Sequence, residues 1–159
     1  MIDLIKMRPQ VQTVGAERKG DQAGGSLWQH GLVHIANNPD DMLQLLMGLE
    51  VSAVSFARGY VELQFDGPVL RSLSDPSGVY GGREWRFPAP GSLDLMRCYI
   101  DKTVDGYELV PDRILALHFG EHRFVIPLDP ESSGGPEAAH MVGVDESGQV
   151  SVRGGMWIW

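Results

Sequence analysis

Hydrophobic and polar residues alternate most cleanly in two stretches, and both spell a strand, a turn and a returning strand. In GLEVSAVSFARGYVELQFDGPVLRSL, residues 48–73, Val61, Leu63 and Phe65 alternate with Glu62, Gln64 and Asp66. A period of two predicts a strand with one dry face. Asp66-Gly67 is a two-residue hairpin signal, since both residue types tolerate the backbone angles such a turn demands. Val69 to Leu73 supply the return strand, and upstream Val51, Val54 and Phe56 lead into a turn at Arg58-Gly59. The same grammar recurs within residues 100–128. There Val104 and Tyr107 precede Leu115, Leu117 and Phe119, then a Gly120-Glu121-His122 turn, then Phe124, Ile126 and Leu128. Laying one phrase on the other pairs Phe65 with Phe119.

Each phrase predicts a three-stranded antiparallel meander, so 48–73 and 100–128 are read as an internal structural repeat. A lone meander leaves an apolar face in water. Two of them pool those faces in one core, either stacked or joined in a continuous sheet. The expected fold class is therefore α+β, predominantly antiparallel β, with two similar meander units sharing one core.

The helical signal sits at NNPDDMLQLLMG. Asn38 suits an N-cap, Pro39 suits the first helical position, and Asp40 and Asp41 face the positive end of the helix dipole. Met42, Leu43, Leu45, Leu46 and Leu49 form the apolar stripe, and Gly48 is the stop. This predicts one short covering helix near residues 39–47, too short to stand without packing on a sheet. A six-residue segment, PEAAHM at 136–141, is a candidate cover for the second unit.

Elsewhere the pattern weakens. Residues 9–26 are polar and glycine-rich and are expected to form a flexible loop. Residues 28–36 are expected to form a short strand, interrupted by Gly31. Residues 74–97 carry Tyr80, Trp85 and Phe87 among Pro and Gly and read as a loop. Those rings serve either a protein interface or as a plug at one end of the sheet core. The end, QVSVRGGMWIW, reads as a hairpin about Arg153-Gly154-Gly155, with its last strand sewn into a sheet.

Size and charge narrow the picture. At 159 residues the chain is expected to be a single domain over 1–159. Gly 20 and Pro 10 favour many turns over a helix bundle. The net charge of -8 argues against nucleic acid and anionic membrane as partners and is compatible with a basic protein partner. The single cysteine, Cys98, excludes an intrachain disulfide and favours a reducing compartment. With no apolar run of signal or spanning length, the expected location is cytoplasmic.

No catalytic motif emerges. His30 and His34 share a face in either a helix or a strand, and His118 and His122 flank a turn, but HExxH, CxxC and calcium-loop spacings are all missing. Neither a metal nor a cofactor is expected. Cys98 sits among apolar neighbours and reads as a buried small hydrophobe, and no G-x-S-x-G elbow is present. Dispersed carboxylates such as Glu62 and Asp66, Glu108 and Asp112, or Asp94 and Asp101 keep a small hydrolase open.

The phrases L-x-G-L-x-V-x-x-V at 46–54, Y-V-x-L-x-F-D-G at 60–67, F-V-I-P-L at 124–128 and G-P-E-A-A-H-M at 135–141 resemble small bacterial proteins of unassigned activity. Some of these look like immunity proteins found beside polymorphic or secreted toxins, and the similarity spans about residues 45–145. The resemblance implies a stoichiometric protein-binding role, in which a β-rich body neutralises a toxin, with a basic secreted toxin as the expected partner. Specificity would reside in loops and polar sheet faces, which makes Glu62, Asp66, Asp75, Tyr80, Glu84 and Trp85 the candidate partner-binding residues. A self-associating accessory domain, forming a homodimer through a sheet edge, is the other reading.

Overall fold

The computed structural model describes residues 42–159. The loop expected at 9–26, the strand at 28–36 with His30 and His34, and the helix start at Asn38 to Asp41 lie outside the described residues. Ten strands follow: β1 (Val51–Ala57), β2 (Tyr60–Phe65), β3 (Val69–Ser72), β4 (Ser77–Tyr80), β5 (Arg83–Arg86), β6 (Gly106–Val110), β7 (Ile114–Phe119), β8 (His122–Pro127), β9 (Ala139–Val142) and β10 (Met156–Ile158). One α-helix, α1 (Ser92–Arg97), lies between β5 and β6.

The strands form two five-stranded antiparallel sheets. Sheet I has the order β1-β2-β3-β9-β10 and sheet II the order β5-β4-β8-β7-β6. Each sheet contains a meander of consecutive strands, β1-β2-β3 in one and β6-β7-β8 in the other, as the repeated phrase predicts. Phe65 ends the middle strand of the first and Phe119 the middle strand of the second, and both are 4% exposed. The sheets are separate, and residues from both enter a single core cluster.

Register fixes which residues face that core. In sheet I one inward row runs Val54, Leu63, Leu70, Met141, Trp157. In sheet II the corresponding row runs Trp85, Gly78, Phe124, Leu117, Tyr107. Burying a leucine or phenylalanine in such a row contributes about 1.5–3 kcal/mol. The chain passes from sheet I to sheet II at 73–76, where the Ser72 hydroxyl donates to the Ser74 carbonyl and the Ser74 hydroxyl to the Pro127 carbonyl, each at 2.6 Å. Those bonds satisfy two of the few buried polar side chains.

Several expectations change. Residues 42–43 are helical and continue into a 3-10 turn, Gln44–Leu46, that buries Met42, Leu43 and Leu46. Leu45, read as part of that stripe, is 54% exposed because it lies off the side that those three share. Gly48 does end the turn, with φ +80. The segment 74–97, read as a loop, instead holds the β4–β5 hairpin and α1. The candidate cover 136–141 is not helical: its last residues belong to β9, inserted between β3 and β10. The terminal strand is sewn into sheet I, but against β9 and not against 149–152. Residues 152–154 form a 3-10 turn, and Val150 bridges Val144 instead.

Candidate functional site

The β4–β5 hairpin is held by a hydrogen-bonded aromatic cluster. Tyr99 is fully buried, and its ring meets Tyr80, Trp85, Phe119 and Phe124 at centroid distances of 5.1–6.1 Å. Its hydroxyl accepts from Trp85 Nε1 at 3.2 Å and lies 3.0 Å from the Val79 carbonyl and 2.7 Å from the Arg123 carbonyl. Val79 and Arg123 are opposite one another on β4 and β8. The phenol therefore pins β5, β4 and β8 together. Burial pushes its pKa far above the ordinary tyrosine value, against the opposing pull of the Trp85 hydrogen bond.

Gly78 is what lets the indole lie there. A Cβ at this position would come within 2.2 Å of the Arg123 carbonyl oxygen and 2.7 Å of the Trp85 ring. With Trp85 folded inward, its neighbours Glu84 and Arg86 must point to the outer face of sheet II, since successive strand residues alternate. Register extends that face into two rows: Glu84, Val79, Arg123, His118 and Gly106, then Arg86, Ser77, Val125, Ala116 and Glu108. Arg123 reaches diagonally across β7 to Glu108 at 2.5 Å, where Ala116 offers only a methyl group beneath.

Ser77, Val79, Glu84, Arg86, Arg123 and Val125 line an open depression of about 440 Å³ on this face. A smaller one of about 200 Å³ flanks the other side of β5, walled by Arg83, Pro90, Ser92 and Leu95. Between them runs the outer edge of β5, to which no other strand pairs among the described residues. Phe87 donates its backbone N–H to Pro76, so by antiparallel alternation Trp85 and Arg83 bond inward to β4, while the backbone N–H groups of Glu84 and Arg86 face away from it. None of the three ion pairs among the described residues uses Arg83, Glu84 or Arg86.

The six candidate residues divide between the two sheets. Glu84 is exposed on β5 and lines the depression. Trp85 lines it only from below: at 6% exposure it is a core residue, so its ring plugs the sheet core and is not offered to a partner. Tyr80 is half-buried, stacked on His122 at 4.0 Å. Asp75 is exposed in the link before β4. Glu62 and Asp66 belong to sheet I. Glu62 is bound to Arg71 at 2.6 Å, with the Arg71 guanidinium 4.5 Å from the Tyr60 ring centre, and Asp66 is exposed in the β2–β3 turn.

Arg83, Arg86 and Arg123 were not among those candidates. The phrase Y-G-G-R-E-W-R carried a usable signal for the first two, a Gly-Gly turn followed by one apolar residue between polar ones. Arg123 carried none, because its position beside Glu84 depends on register alone.

Other chemistry is thin. Among the described residues no three His, Cys, Asp or Glu side chains are grouped to hold a metal ion. Cys98, read as buried, is exposed, with its Sγ 3.2 Å from the Asp94 carbonyl. His118 faces outward from sheet II, while His122 faces inward and accepts from the Gly81 N–H at 3.2 Å, so the two do not share a site. Among the described residues no helix is long and apolar enough to cross a membrane. No protein-family model, curated protein or solved structure matches the chain.

Proposed function

We propose that this chain is a protein-binding inhibitor of the immunity type, acting in the cytoplasm by forming a stoichiometric complex with a toxin. The partner docks along β5 and the outer face of sheet II. The observation that carries this reading is the open, charge-marked edge of β5 with a depression beside it. An added strand gains main-chain hydrogen bonds there, while alternate side chains are sorted by the depressions. Glu84 favours a basic neighbour and Arg86 an acidic one, so the partner strand carries both signs in alternation.

The test is calorimetric titration of the full chain with the purified product of the neighbouring open reading frame. A one-to-one complex is expected. Glu84→Arg and Arg86→Glu should each weaken it by about tenfold or more, with melting temperature unchanged because both side chains are exposed. Absence of binding, or affinity indifferent to both substitutions, sinks the proposal.

A further inference from the structure

We infer that β10 is a second interaction edge, and that its occupant is β10 of another copy of this chain, paired antiparallel across a two-fold axis. The hydrogen bonds around β10 decide which of its groups have no partner among the described residues. Trp159 and Ala139 exchange both backbone bonds, and Gly143 donates to the Gly155 carbonyl. Alternation from either end makes Trp157 the residue that bonds to Met141, opposite it. The N–H and C=O groups of Met156 and Ile158 therefore point out of sheet I.

Natural sheets protect such an edge with charge, proline or a covering segment. β5 carries Arg83, Glu84 and Arg86, and the start of β1 is covered by 101–104 through Val51 and Leu49. β10, Met-Trp-Ile, has no charged side chain. The surface beside its Met156 end is apolar as well. Of the seven large hydrophobic side chains exposed among the described residues, Val144, Val150, Met156 and Ile158 all fall within 144–158. Three of them form one patch by register: Val69, Val142 and Met156 share a row, Val144 continues the outward face of its strand, and Val150 bridges Val144, whereas Ile158 shares its row with His140 and Arg71.

A second copy fits because the edge is complementary to itself. A two-fold axis through Trp157 sets Met156 opposite Ile158 of the other copy and Ile158 opposite its Met156. Each pair exchanges two main-chain hydrogen bonds, four in all, and on the outer face each exposed Met156, backed by Val142 and Val69, meets the exposed Ile158 of the other copy, backed by His140 and Arg71. The two half-buried Trp157 rings meet at the axis on the inner side. Three residues a strand bury less than the ~1,000 Å² of a stable interface, so the dimer is reversible and depends on concentration.

Sedimentation of the full chain over a wide concentration range should show mass rising from 17.5 kDa toward twice that value, with tryptophan emission shifting to the blue. Met156→Lys and Ile158→Lys should each weaken dimerisation about tenfold or more without lowering the melting temperature, since both side chains are exposed at 38% and 51%. In a Cys98→Ser background, a mixture of Met156→Cys and Ile158→Cys chains should crosslink faster than either alone. A chain monomeric at every concentration overturns the inference. So does a dimer that survives both lysines and is lost with Glu84→Arg, because β5 is also self-complementary, with Glu84 facing Arg86 about Trp85.

Discussion

Tyr99→Phe removes one oxygen from the centre of the aromatic cluster and leaves its packing intact. Two losses follow. Trp85 Nε1 forfeits its acceptor at 3.2 Å, and the carbonyls of Val79 and Arg123 forfeit the hydroxyl that lies within 3.0 Å of both. An unsatisfied buried donor or acceptor costs about 1–3 kcal/mol. With one donor stranded and one hydroxyl proton lost, the expected destabilisation is ~2–3 kcal/mol, or a fall in melting temperature of roughly 4–12 °C for a chain of this size. Alkaline titration gives an independent check. Because the folded pKa of Tyr99 is raised, stability from its protonated state is complete below pH ~10 and is lost as pH rises above that value. In that window the unfolded chain releases the phenol proton while the folded chain keeps it, a slope of about 1.4 kcal/mol per pH unit. Urea unfolding followed by tryptophan fluorescence from pH 8 to pH ~11 reads both effects. The wild-type chain should lose stability more steeply than the phenylalanine variant. Equal stabilities at neutral pH together with parallel alkaline slopes would refute the claim that the hydroxyl ties the strands together.

Two further outcomes follow from the same geometry. Gly78→Ala places a methyl group 2.2 Å from the Arg123 carbonyl oxygen and 2.7 Å from the indole; since both neighbours are core-bound, unfolding assays should show a loss at the upper end of the overpacking range, ~3 kcal/mol. The Asp145 carboxylate accepts from the Ser147 and Ser151 hydroxyls and from the Ser147 and Gln149 N–H groups, which pulls its pKa down to about 2. Asp145→Ala should speed hydrogen exchange at Ser147 and Gln149 with little change in melting temperature. In the unsubstituted chain the same loosening should appear as pH falls from about 3.8 through about 2, because the bonds need the ionised carboxylate.

Strands were legible where one face is wet and the other dry. β2 shows this in full, with Val61, Leu63 and Phe65 buried and Glu62 and Gln64 only partly so. β7 and β8 gave enough of the same alternation. β9 was misread because Ala139, His140 and Met141 are all buried: a strand between two others, covered on both faces, has no polar phase to display. β4 and β5 were missed for a different reason. The inward residue of β4 at the core is Gly78, which has no side chain to register as apolar, and the volume it omits is filled by Trp85 from the next strand. The same substitution hid the site. A tryptophan in a glycine-rich stretch looks exposed until its partner glycine is known, whereas Glu84 could be picked out by polarity alone. Arg86 and Arg123 became relevant only once register put them on one face with Glu84.

The two free edges differ in what they can discriminate. Long-range attraction between an acidic body and a basic partner operates over a Debye length of about 8 Å, and the net charge of -8 supplies it over the whole surface. Such steering raises the encounter rate without choosing a contact. At β5 the local balance is different, two arginines against one glutamate, so a partner that is merely basic meets repulsion from Arg83 and Arg86 when it arrives. Only a strand with an acid opposite Arg86 and a base opposite Glu84 gains at both positions. This selectivity arises from rejection as much as attraction. β10 rejects nothing by charge. On the inference drawn above its occupant is its own copy, which matches it in length, register and spacing. If β5 is the docking edge and β10 the self-pairing one, as proposed, partner choice belongs to the charged edge and self-association to the uncharged one, and a substitution at either should leave the other unaltered.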